Sequence, residues 1–108
     1  MATQIKWLRT ALKNFDDEVS HIAADDPAAA RLVVRRLMEA VTLLSTQPAM
    51  GRPGRVAGTR ELLVPRTRHL IPYRVRRGVI EILRVFHASR RPVQALVSGP
   101  SQRPLLLK

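Results

Sequence analysis

Past residue 8 the spacing of apolar residues changes once along this chain, and the change limits the folds open to it. From residue 8 to 44 apolar side chains recur at every third or fourth position, and from residue 59 they recur at every second. Leu8, Leu12, Phe15, Val19 and Ile22 step by four, three, four and three, which predicts a helix with Lys13, Asp16 and Asp17 turned to water. "ADDP" interrupts that pattern. Asp26 can accept hydrogen bonds from the backbone N–H groups that open a second helix, and Pro27 suits its first turn. Ala30, Val33, Val34, Leu37, Val41 and Leu44 carry the second helix to "STQPAMGRPG", where two prolines and two glycines end it.

Strand patterns flank this helix hairpin. "TQIKWL", with Ile5 and Trp7, reads as a first strand, and "TRELLVP", "HLIPYRV" and "VIEILRVFH" read as a three-stranded meander. Arg77 and Gly78 form the turn between the last two, which sets Arg74 opposite Glu81. That register places Ile71, Tyr73, Val75, Ile80, Ile82 and Phe86 on the face against the helices, with Arg84 among them. Leu83, Val85 and His87 then share the other face with Arg74 and Glu81. Pro72 lacks a ladder donor and is the irregular position of this assignment. The fold class is α+β: an N-terminal strand and an antiparallel helix hairpin packed on a mostly antiparallel sheet. Residues 1–92 form one domain, and 93–108, with little periodicity and two prolines, form an extended or mobile tail.

Charge divides the chain differently. The net +11 belongs wholly to the second half: residues 1–50 are balanced, whereas residues 51–108 hold thirteen basic side chains against Glu61 and Glu81. A field so one-sided implies an anionic partner, either nucleic acid or an acidic protein. No apolar run approaches the roughly 18 residues of a membrane span, and the start lacks the apolar core of a signal peptide, so a cytoplasmic protein is expected. Without cysteine, and with three scattered histidines, neither a thiolate nucleophile nor a metal cofactor is expected.

Five segments in register carry a resemblance: "WLRTAL", "DDPAAA", "PAMGRPGRVAGTREL", "IPYRV" and "EILRVFHASRRP". Over residues 4 to 92 the chain resembles the RelE/ParE superfamily of toxins from type II toxin–antitoxin systems, and within it the ParE branch. The resemblance implies plasmid stabilisation or growth inhibition by a non-enzymatic inhibitor of DNA gyrase, neutralised by a ParD-like antitoxin with an acidic C-terminal segment. Nucleic acid would then be met only through gyrase or the antitoxin complex. RelE-like relatives instead cut messenger RNA on the ribosome, and an inactive relative would only bind antitoxin and co-repress transcription. The chain departs from the ParE pattern at Pro92, where a tryptophan often follows the arginine pair.

A metal-free ribonuclease needs a base, an acid and cations. His87, Arg84 and Tyr73 are the residues of those types, with His69 a weaker candidate at a turn. Opposing that reading, His87 can be satisfied by a neighbour, Tyr73 has the spacing of a core ring with its hydroxyl at the rim, and Trp7, Phe15, Tyr73 and Phe86 are the only aromatic residues. For antitoxin or target binding the candidates are Arg52 and Arg55 in a glycine–proline loop, Arg60, Arg74, Arg84, and Arg90 with Arg91 at the exit of the last strand. Arg60 and Glu61 are adjacent on a strand and face opposite ways, so they do not neutralise each other. Arg84, among apolar neighbours, must snorkel or find an acceptor such as Glu39.

Overall fold

The computed structural model describes residues 3–88. Strand β1 (Gln4–Trp7) leads into helix α1 (Arg9–Asp25) and helix α2 (Pro27–Leu44). After them come β2 (Arg52–Pro53), β3 (Arg60–Leu63), β4 (His69–Arg76), β5 (Val79–Ile82) and β6 (Phe86–His87). The strand order is β1-β5-β4-β3-β2, with β6 also on β4. Only β1 runs parallel to its neighbour, and the other pairings are antiparallel. The α+β class and the helix hairpin on the sheet stand as expected. Arg90, Arg91 and the tail from 93 to 108 lie outside the described residues.

Local signals set the helix boundaries. Asp26 Oδ1 accepts from the Ala29 N–H at 3.0 Å, and Pro27 occupies the first turn of α2. The inward stripe of α2 is the expected one, with Leu37 and Leu44 wholly buried and Ala40 added to it. In α1 the stripe is rotated: Ala11 is buried and Leu12 is 51% exposed. A small residue lets the helix backbone approach the sheet, and the line through Ala11 and Phe15 then carries Glu18 inward as well. Trp7 and Phe15 close this side, their ring centroids 5.5 Å apart.

Arg74 pairs with Glu81 across the Arg77–Gly78 turn, as the sequence predicts, and Ile71, Tyr73, Ile80 and Ile82 are buried. The third run of the meander, however, is two strands. Leu83 N–H donates to the Pro72 carbonyl at 2.9 Å, but Pro72 has no N–H to return the bond, so the ladder stops there. Pairing resumes at Leu70–Phe86 and His69–His87. Residues 71–72 of β4 thus face three residues, 83–85, a bulge of one residue beside the proline.

The bulge reverses the expected faces beyond it. Val85 is buried in the core and its N–H donates to Asn14 Oδ1 at 3.3 Å, whereas Arg84 is exposed instead of lying among core side chains. Phe86 pairs with Leu70 on the face away from the helices, and His87 pairs with His69 on the helix side. Val75, expected inside, is 46% exposed near the end of the hairpin.

Candidate partner-binding groove

The corner between α2 and β3 is built around Tyr73. Its ring is fully buried, so the hydroxyl is not at the rim as expected. It donates to the Pro48 carbonyl at 2.7 Å and accepts from the Gly51 N–H at 2.8 Å. Burial pushes the phenol above its ordinary pKa, against the Gly51 bond and the charge of Arg60, so the hydroxyl keeps the proton it donates. Arg60 faces the same corner, with Nη1 2.7 Å from the Gly51 carbonyl and 3.4 Å from that of Ala49. These bonds hold the turn after α2 against the sheet.

On the opposite face of β3, Glu61 points away from the helices yet is 6% exposed. Arg52, in the unpredicted strand β2, lies 3.5 Å from its carboxylate, and Arg55 lies 3.2 Å away in the following loop. Both arginines stay largely open to solvent, 62% and 47%. A submerged carboxylate therefore holds two guanidinium groups in place. The glycine–proline loop marks these arginines as a surface in the sequence, but their pairing with Glu61 is visible only in the fold.

Between α2 and the β2–β3 edge runs an open groove of about 840 Å³. Leu32, Leu43, Met50 and Leu63 give it apolar walls, and Arg35, Arg36, Arg52 and Arg66 outnumber Glu39 and Glu61 among its charged residues. Leu32, Arg36, Glu39 and Leu43 step by four, three and four, a second stripe on α2 beside the core stripe. That spacing was the available signal for the groove, and the sequence reading passed over it. Leu43 and Leu63 are 45% and 56% exposed. β2 pairs only with Arg60 and Glu61, so it stops short of Leu62 and Leu63 at this margin.

The structure thus gathers Arg52, Arg55 and Arg60 near the groove. Arg74 lies on the same face as Glu61, away from the helices, but there its Nε donates to Glu81 Oε1 at 2.6 Å. That bond, aided by the charges of Arg74, Arg76 and Lys6, holds the Glu81 carboxyl below its ordinary pKa against a smaller effect of burial. A depressed carboxylate contributes stability that is complete above the unfolded value, about 4.3, and is lost as pH falls through the lower native value. Acid unfolding of Glu81→Gln is therefore expected to lack this component. Stability curves measured below pH 5 that superimpose for the two proteins, apart from a constant offset, would contradict it.

The three residues that would serve a ribonuclease do not meet. His87 lies opposite His69, four residues along β4 from Tyr73, a separation of about 13 Å at strand rise. The Tyr73 hydroxyl is engaged by backbone at the far corner, and Arg84 is exposed on the bulge. His69 is buried and its Nε2 lies 2.9 Å from Glu18 Oε1, while the His87 ring stands edge-on to it with centroids 5.1 Å apart. This arrangement ties β6 to α1.

Comparison with known proteins agrees with this geometry. Residues 5–92 match the profile of the ParE toxin of the type II toxin–antitoxin system parDE. A protein of Sinorhizobium fredii named as a toxin, Y4kP, is 45% identical over 93 residues, spanning 86% of this chain and 96% of that one. A solved structure of the chromosomal ParDE toxin–antitoxin system of P. aeruginosa superimposes with a TM-score of 0.72 at 30% identity, covering 80% of this chain and 96% of that one. The toxin–antitoxin complex RelBE2 of Mycobacterium tuberculosis shares the fold, with a TM-score of 0.55 at 24% identity, over 81% of this chain and 99% of that one.

Proposed function

The chain belongs to the ParE family of toxins from type II toxin–antitoxin systems, and from that premise we propose that it inhibits DNA gyrase by binding, in the cytoplasm, with no chemistry of its own. A ParD-like antitoxin neutralises it by laying an acidic segment with apolar anchors in the groove between α2 and β3. The groove is the observation that carries this reading: its apolar walls suit leucine-like anchors, and its excess of arginine suits carboxylates. Such a segment, disordered when free, orders as it binds.

The test is a supercoiling assay with purified gyrase run beside cell-free translation, both with free toxin. Inhibited supercoiling with intact translation is the expected result. Inhibited translation would favour a ribosome-dependent ribonuclease, and activity in neither assay an antitoxin-binding co-repressor.

His87→Ala separates the first two in cells. Growth inhibition is expected to persist, because His87 packs against His69 and binding transfers no proton. Loss of a general acid or base would lower the rate by about 100-fold to 10,000-fold. Collapse of toxicity in a folded His87→Ala protein, with messenger RNA cleavage lost alongside, would reverse the assignment.

A further inference from the structure

The face of the sheet away from the helices, which Glu61 shares at the groove's edge, carries a second charged arrangement on β1, β4 and β5. Lys6 on β1, Glu81 on β5 and Arg74 on β4 form one cross-strand row, and Gln4, Val79 and Arg76 form the next. At strand spacing, Lys6 and Arg74 stand about 10 Å apart with Glu81 between them, and Arg76 lies about 7 Å further along β4. Arg77 follows at the hairpin tip with φ of 52°. The Glu81 side chain is 15% exposed, whereas Lys6, Arg76 and Arg77 are exposed. One largely buried carboxylate thus lies among Lys6, Arg74 and Arg76 on the sheet, with Arg77 in the turn beyond them.

We propose that this face, through Lys6, Arg74, Arg76 and Arg77, binds the phosphate backbone of duplex DNA directly. Phosphate recognition needs cations at set positions and no apolar anchor, and arginine suits it by its planar fork. An acidic peptide would need anchors, and these two rows offer only Val79, half-buried. A single strand would need stacking surfaces, but Trp7 and Tyr73 lie on the helix side and Phe86, on this face, is half-buried beyond the bulge, away from the two charged rows. These cations sit on β1, β4 and the hairpin tip, whereas the groove lies at the β2–β3 edge, so a duplex here meets other residues than those that line the groove.

The experiment titrates a labelled duplex of about 20 base pairs with the full chain between low and moderate salt. Binding should weaken with a log–log slope near −0.9 per phosphate contact, so about −3 to −4 if these cations make the contacts. Arg76→Gln with Arg77→Gln should flatten the slope by about 2, and Lys6→Gln by about 1. All three side chains are exposed, so the variants should fold. Arg31→Gln with Arg35→Gln, exposed on α2, should leave the slope unchanged. Absence of duplex binding at low salt, equal flattening by the α2 pair, or displacement of the duplex by an acidic peptide at equal charge would each overturn the proposal. Gyrase is absent from the assay, so its outcome is independent of the proposed target.

Discussion

Tyr73→Phe should lower the unfolding free energy by about 2–4 kcal/mol, although it removes a single oxygen atom. That oxygen bridges the partly buried Pro48 carbonyl and the buried Gly51 N–H. The phenylalanine ring would fill the same space and leave both backbone groups without a partner, each at a cost of about 1–3 kcal/mol. Gly51→Ala attacks the same corner from the other side. A Cβ there would lie 2.7 Å from the Tyr73 ring and hydroxyl and 2.9 Å from the Glu61 carbonyl, all parts of the packed sheet. Urea titration of Tyr73→Phe should show a lower midpoint at an unchanged slope. A loss below about 0.5 kcal/mol, the range of neutral surface changes, would mean that the bridge does not hold the turn.

Leu43→Asp should weaken antitoxin binding about 30-fold or more, the scale of a well-packed interface anchor, while leaving stability nearly unchanged. Leu43 is 45% exposed on the groove wall, so the fold loses little, but an apolar anchor loses its seat and the acidic segment gains a repelling charge. Co-expression gives a direct readout, because the variant should remain toxic beside its antitoxin. Unaltered neutralisation would remove the groove from the antitoxin site. The rim arginines act differently: exposed charges steer encounter, so added salt should slow association with little effect on dissociation. Replacing Arg52 and Arg55 by Ala would strand the buried Glu61 carboxylate, so Glu61→Gln must accompany them to isolate steering from instability.

The features legible in the sequence were those written within a few consecutive residues. The period change marked where helices give way to strands, Asp26 and Pro27 marked the start of α2, and Arg77–Gly78 marked a hairpin whose register the structure shares. Side-chain identity predicted poorly wherever distance between backbones decided. Ala11 is inside and Leu12 outside because α1 sits close to the sheet, and an apolar stripe cannot express that distance. Pro72 was recognised as irregular, but its consequence falls eleven residues later on a neighbouring strand, beyond any local pattern. The groove is legible only in part: the Leu32–Arg36–Glu39–Leu43 stripe marks its α2 wall, but the other walls come from the turn after α2 and from β3, and no local pattern brings Arg52 and Glu61 to that stripe.

The bulge at residues 83–85 makes chain length, as much as composition, a structural quantity. Were pairing to run on unbroken from Tyr73–Ile82 with every residue kept, Val85 would fall opposite Leu70 and Phe86 opposite His69, and every later side chain would turn to the opposite face. Phe86 would then press toward the helices and His87 would swing away from His69, undoing the link that ties β6 to α1. The one extra residue at 83–85 thus acts on the last strand as a shift of reading frame acts on a message.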